Sequence, residues 1–213
     1  GAYYGIHNLR EKQDKEYAGI YHGITTDSLD YIENNGEVKE GNATAYQQMV
    51  DLLNTGVASA GSFSALEQVC DTKNFTDYII SQIFTANYSW GHNIALFRKR
   101  SPEGKWRWFP HDYDRGFELG SVTNTAMSWA TATNGADWTN PAWGTLFLRK
   151  MLENTTFRER FITRFADHLY VTYNPQAINK RVDKHAGLIR KEIPYHVTRW
   201  LGATSSYGNA IPS

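Results

Sequence analysis

Apolar and polar positions alternate along Ala2–Leu9 with a strand's two-residue period, Tyr4 and Ile6 on one face and Tyr3, Gly5 and Leu9 on the other. The charged run Arg10–Lys15 leaves that strand as a connector. Thr25–Asn42 is polar, holds the turn signal Asn34-Asn35-Gly36 and sustains no period. A helical period sets in at Ala43–Leu53, where Tyr46, Met49, Val50 and Leu53 recur at three- and four-residue steps. Asp71–Asn87 predicts a second helix, capped by Asp71 or Asn74, with Phe75, Tyr78, Ile79, Ile83 and Phe84 on its buried face.

A hairpin is expected next: Asn93–Lys99, a turn at Ser101-Pro102-Glu103-Gly104, then Lys105–Phe109. Ser121–Asn140 is rich in Thr, Ser, Asn and Ala without clear periodicity, and a segment that long suits a lid or binding loop. The last third reads as helix. Trp143–Leu152 leads, followed by a stripe of Phe157, Phe161, Ile162, Phe165 and Leu169. A further stripe of Ile178, Val182, Ile189, Ile193, Val197 and Trp200 starts beyond Asn174-Pro175, and Pro194 is expected to kink or interrupt it. A strand unit, a hairpin and a mostly helical remainder predict an α+β fold.

Composition narrows the function. The 213 residues suit one domain or one large lobe of a two-lobed protein. Basic and acidic residues are equal at 22 each, and no basic cluster interleaves with aromatics, which argues against nucleic acid as a partner. Cys70 is the single cysteine; it cannot form an internal disulfide and, beside Phe63, Leu66 and Val69, is expected to be a buried structural thiol. No apolar run approaches the roughly 18 residues that would span a bilayer. The chain opens abruptly on Gly1-Ala2-Tyr3-Tyr4, so upstream sequence is expected.

The chemistry concentrates between Asn87 and Asp114. Asn87-Tyr88-Ser89-Trp90-Gly91-His92-Asn93 runs from a helix into a strand, and His111-Asp112-Tyr113-Asp114-Arg115-Gly116-Phe117 follows the hairpin. A short hairpin returns the chain close to where it left, so Asn93, Asp112 and Asp114 can converge. Amide and carboxylate oxygens at one point suit a hard cation such as magnesium, which in turn suits nucleotide phosphates. Protein kinases share this plan of a catalytic Asp, a metal-binding Asn, a hairpin and an Asp-bearing metal loop.

On these residues the chain resembles the CotH kinase family, the spore coat protein H-like atypical kinases. Tyr4-Gly5-Ile6-His7-Asn8-Leu9-Arg10-Glu11-Lys12 is similar to that family's Tyr-x-Gly-x-Tyr-x-Leu-x-Glu strand. Phe75-Thr76-Asp77-Tyr78 through Asn93-Ile94-Ala95-Leu96-Phe97 resembles its helix, catalytic loop and following strand. Lys105-Trp106-Arg107-Trp108-Phe109-Pro110-His111-Asp112-Tyr113-Asp114 resembles its second strand and metal loop. The resemblance implies a CotH-like kinase domain over residues 1–213, mostly a helical C-terminal lobe whose hairpin carries the metal loop, with most of the N-terminal lobe before Gly1. It implies ATP as substrate and Mg2+ held by Asn93 and Asp112, with Asp114 as a second carboxylate, and it sets Glu11 and Lys12 at the nucleotide's adenine end. A protein substrate or surface partner and an extracellular or cell-envelope location are expected with it.

One departure changes the expected activity. Ser89 stands where the family has its catalytic Asp, and a hydroxyl cannot accept a proton at neutral pH as a carboxylate does. Loss of such a base costs on the order of a hundred- to ten-thousandfold in rate. The expectation is therefore a phosphotransferase with weakened activity or a nucleotide-binding pseudokinase. His92 and His111 are substitute bases on one reading and, with Asp112 and Asp114, zinc ligands on another. The competing function is a non-catalytic secreted or surface adhesion protein, with Trp129, Trp138 and Trp143 as a glycan platform or as packing.

Overall fold

The computed structural model describes residues 2–7, 9–117, 126–133, 135 and 139–200. The chain divides into a larger unit, residues 12–165, and a smaller one, residues 1–11 with 166–213.

The larger unit is built on a four-stranded antiparallel sheet in the order β2-β1-β3-β4, with β1 Leu29–Glu33, β2 Glu37–Glu40, β3 Ala95–Lys99 and β4 Arg107–Trp108. Thr25–Asn42 thus holds a hairpin that periodicity did not reveal. The reason is burial. Four of the five β1 residues are buried, on both faces, so the strand does not alternate. β2 is Glu-Val-Lys-Glu, the charged outer edge of the sheet, where charge discourages pairing with another chain.

Leu29, Tyr31, Ala95 and Phe97 pack with Phe109 against Ala18 of α1, Lys15–His22. Asp14 caps α1, accepting from the Glu16 and Tyr17 amides. On the opposite face Trp106 meets Tyr46 of α2, Thr44–Thr55, and Trp108 meets Phe75 of α4, Thr72–Phe84. Burial there pushes the Tyr46 phenol up to about 12. Asp71, one of the two expected caps, holds the Asn74 amide at the start of α4.

Asn74 has a different task. Its Oδ1 accepts from the Trp108 amide at 2.6 Å and its Nδ2 donates to the Trp108 carbonyl at 3.3 Å. The Trp106 amide and carbonyl pair with Val69 and Asp71. The outer edge of β4 is therefore satisfied by the segment entering α4.

α3, Ala60–Val69, went unpredicted because it buries only Phe63 and Leu66 and is diluted by Gly61, Ser62 and Ser64. Cys70 follows it, fully buried, and burial pushes its thiol well above the ordinary range. α5, Ala126–Ala130, is a short helix inside the expected loop Ser121–Asn140, of which residues 121–125, 134 and 136–138 lie outside the described residues. α6, Ala142–Met151, and α7, Thr155–Asp167, follow where helix is expected, but of the expected stripe only Phe157 and Phe161 are buried; Ile162 is exposed, and Leu169 is exposed and lies beyond the end of α7. No described helix is long and apolar enough to cross a membrane.

In the smaller unit the expected strand Ala2–Leu9 is absent among its described residues. Gly5 at φ +100° leaves strand geometry, and the backbone bonds to side chains instead of another strand. The Ile6 amide donates to His196 Nδ1 at 3.0 Å and Trp200 Nε1 donates to the Tyr4 carbonyl at 3.2 Å. Both partners lie on α9, Ile193–Trp200. α8, Pro175–Ile189, is capped by Asn174 with Pro175 at its first position, and Pro194 sits in the first turn of α9, so the stripe is interrupted rather than kinked.

Asp30 organises the larger unit's sheet. It is wholly buried and accepts from Arg98 Nε at 3.0 Å, Arg100 Nε at 2.9 Å and the Asn42 amide at 3.1 Å. Gly41, at φ +73°, passes so close that a Cβ there would collide with Asp30. Asp30→Ala strands two guanidinium groups and is expected to lower stability by about 3–5 kcal/mol in urea denaturation, toward the lower end because Arg100 still reaches water.

Candidate functional site

α4 ends in a way that aims everything after it. The Ala86 amide bonds to the Ile83 carbonyl and the Asn87 amide to the Gln82 carbonyl, the paired bonds of a Schellman end, with Ala86 left-handed at φ +50°. Glycine is usual at that position; alanine costs about 1 kcal/mol. The chain turns back over the helix and delivers Asn87 into the interior.

Asn87 is 1% exposed and uses its whole amide. Nδ2 donates to Gln82 Oε1 at 2.9 Å and to the Asp112 carbonyl at 3.0 Å. Oδ1 accepts from Ser89 Oγ at 2.9 Å and from the Ser89 amide at 3.3 Å. One side chain thus joins α4, the loop through Ser89 and the loop through Asp112. Two donors and two acceptor positions are all an amide has.

The loop 111–117 is tied to α4 at two further points. Tyr113 and Ser81 share a hydroxyl contact at 2.5 Å, and the Phe117 amide donates to the Thr85 carbonyl at 2.7 Å. Gly116 fits because a Cβ would press on the Tyr113 carbonyl at 3.1 Å and on Thr85 at 3.2 Å. Asp112 is left-handed at φ +56°, which aspartate tolerates better than most residues.

The loop's other wall is equally tight. Gly91 lies against Gly144 of α6, where a Cβ on Gly144 would fall 2.2 Å from the Gly91 carbonyl. Trp129 packs edge-on against Tyr88 and Trp90, with ring centres 5.6 and 5.4 Å apart. Its ring serves packing here, and Trp143 is half-buried; Trp138 lies outside the described residues.

At the hairpin's mouth, Asn93 Nδ2 donates to Asp112 Oδ2 at 2.5 Å. The entry to β3 is held by Asn34, whose amide donates to the Ile94 carbonyl and whose Oδ1 accepts from the Ile94 amide. The two expected ligands are therefore neighbours. Asn93 Oδ1 and Asp112 Oδ1 accept no hydrogen bond among the described residues, and both side chains are half-buried.

The other candidates fall differently. Asp114 is exposed in the turn beyond Asp112. Ser89 is buried, its proton directed at Asn87. His92 Nδ1 meets the Thr139 carbonyl at 3.3 Å. Among the described residues no three His, Cys, Asp or Glu side chains gather into a metal cluster, so the zinc arrangement of His92, His111, Asp112 and Asp114 is not assembled. Glu11 and Lys12 are exposed and fall in different units; Lys12 pairs with Asp14 at 3.3 Å.

Glu33 was not anticipated. Burial raises its carboxyl, but the Tyr31 hydroxyl, the Lys39 ammonium and the field of His111 outweigh it and leave the group below the ordinary glutamate range. Gln82 was missed too, since a glutamine inside an apolar helix carries no motif. Its burial at 0% exposure beside Asn87 is what marks it.

A family model described as CotH kinase protein matches residues 1–211, nearly the whole chain. Neither a search of curated proteins nor one of solved structures finds a match.

Replacing Asn87 by leucine, similar in size, would leave Gln82 Oε1, the Asp112 carbonyl and the Ser89 groups without partners. A loss of roughly 2–4 kcal/mol is expected in urea denaturation. A change within about 0.5 kcal/mol, typical of surface positions, would mean that the amide holds nothing.

Proposed function

The chain belongs to the CotH kinase family, and from that premise we propose that it binds ATP with magnesium at Asn93 and Asp112 and transfers phosphate weakly or not at all. The observation that carries this reading is the Asn93–Asp112 contact across the hairpin, in which Asn93 Oδ1 and Asp112 Oδ1 accept no hydrogen bond among the described residues. Such hard oxygen donors fit magnesium, which keeps several waters and takes one or two protein carboxylates plus phosphate oxygens.

Asn93 Oδ1 and Asp112 would hold the ion, and Asp114 would supply a second carboxylate from the turn. When bound, the ion would neutralise negative charge on the phosphate groups. The residues' contribution is placement. Asn87 fixes the Asp112 backbone from beneath, so the carboxylate meets the ion without searching for its position. The kinase-like lobe and the setting of Glu11 and Lys12 at the base of the nucleotide rest on the family resemblance.

Ser89 supports the weakened activity. Its hydroxyl donates to Asn87 and offers no basic lone pair at neutral pH.

Magnesium with ATP should raise the melting temperature of the intact protein, a ligand at about 100 times its Kd contributing about 2.7 kcal/mol. Asp112→Asn should abolish that rise. No rise in the unaltered protein would favour the non-catalytic surface-binding function instead.

Ser89→Asp should raise ATP turnover by about a hundredfold or more, if placement is otherwise intact. It should also lower stability, because a carboxylate would face Asn87 Oδ1. Full nucleotide binding with no gain in turnover would refute Ser89 as the missing base.

A further inference from the structure

The larger unit has a concavity at the end of the hairpin remote from Asn93. One hollow of about 400 Å³ lies between the turn Ser101–Gly104 and the end of α1. A second, of about 320 Å³, continues along β4 past the start of α4 to Pro110. They share His22, Asp71, Phe97 and Arg107, and so form one groove. Its inner end lies two residues before Asp112.

Three properties define what the groove can take. The first is its floor. Phe97 and Phe109 stack with centres 4.3 Å apart, Tyr17 meets Phe109 edge-on and His22 lies 4.8 Å from Phe97. Phe97 and Phe109 are each 2% exposed, so they hold the floor from below, and the surface open to a ligand's apolar side chain is that of Tyr17, His22 and Pro110. Burial, then the field of Arg107, holds the His22 imidazole below its usual range, so it is neutral near pH 7.

The second property is the rim's charge. Asp71 is bound to Arg107 at 2.9 Å, Asp77 to Arg164 at 2.7 Å, and Arg98 to the buried Asp30. What remains is exposed Lys73, Lys99 and Lys105 against Glu103. The three lysines have no ion-pair partner among the described residues. The rim is net positive in a protein whose basic and acidic residues balance.

The third property is a closed strand edge. Asn74, Val69 and Asp71 already satisfy β4 at Trp106 and Trp108, so an added strand finds no free donors or acceptors there. Recognition in this groove must come from side chains.

We propose that this groove docks an acidic peptide segment of a partner protein, aromatic or aliphatic side chains resting on Tyr17, His22 and Pro110 and carboxylates facing Lys73, Lys99 and Lys105. Charge complementarity chooses the occupant, since a basic segment would meet three lysines. The site is separate from Asn93 and Asp112, and the docked segment would be directed along β4 toward them.

The test needs neither nucleotide nor magnesium, so its outcome is independent of the phosphotransfer reading. A short fluorescein-labelled peptide of alternating glutamate and phenylalanine is titrated with the intact protein and followed by fluorescence anisotropy, beside a peptide with lysine for glutamate. The glutamate peptide should bind, lose affinity in high salt, and bind the double variant Lys99→Glu/Lys105→Glu about tenfold more weakly or worse. The lysine peptide should prefer the double variant. Circular dichroism melting should be the same for both proteins, because the exposed lysines carry no packing. Equal binding of the two peptides by the unaltered protein would overturn the proposal, as would undiminished binding of the glutamate peptide by the double variant. Adsorption of the protein to phosphatidylserine vesicles with no peptide binding would overturn it as well.

Discussion

A primary amide has two hydrogens to give and two lone pairs to receive, and Asn87 commits all four inside the protein. Its partners come from three stretches that are remote in function: the body of α4, the loop through Ser89 and the backbone of Asp112. Because the site is buried, water cannot replace any partner at low cost. Movement of the Asp112 loop therefore requires breaking a bond from a group whose other bonds hold the helix and the first loop. That coupling makes the mouth of the hairpin a defined position and not the tip of a loop.

The remaining structure supports the coupling from either side. α4 offers Ser81 and Thr85 to the loop as well as Gln82 to Asn87, so its last two turns act as a rack. Its first turn seals β4 through Asn74, and β4 is the strand from which the Asp112 loop departs. β3 receives Asn93 already oriented, because Asn34 grips Ile94 from the neighbouring turn. Asp30 then fixes β3 to β1 through Arg98, its direct partner across the ladder. The chain of constraint runs from a buried carboxylate in the sheet to a buried amide beneath the mouth.

Much of this was legible in the sequence, and the illegible parts share causes. Helices with one buried stripe, such as α2, α4 and α7, declare themselves by period. β1 does not, because burial on both faces erases alternation. β2 does not, because an exposed charged edge has no apolar signal. Ala2–Leu9 deceived in the opposite direction: its alternation is real, but alternation says nothing of whether a partner strand exists, and His196 and Trp200 take its backbone groups. At the site, Asn93 and Asp112 could be placed by hairpin arithmetic. The role of Asn87 as a four-bond hub could not, since Gln82 has no motif and the Asp112 carbonyl is a backbone atom. Glu11 and Lys12 came from family likeness, and the structure leaves them exposed and in separate units.

The proposed divalent-cation site joins Asn93 to Asp112, whose backbone carbonyl Asn87 holds. Crystals of the intact protein grown with ATP and manganese in place of magnesium would test it through the metal's anomalous signal. A peak is expected within coordination distance of both Asn93 Oδ1 and the Asp112 carboxylate, with phosphate oxygens completing the shell. A nucleotide-associated peak that touches neither residue would contradict it.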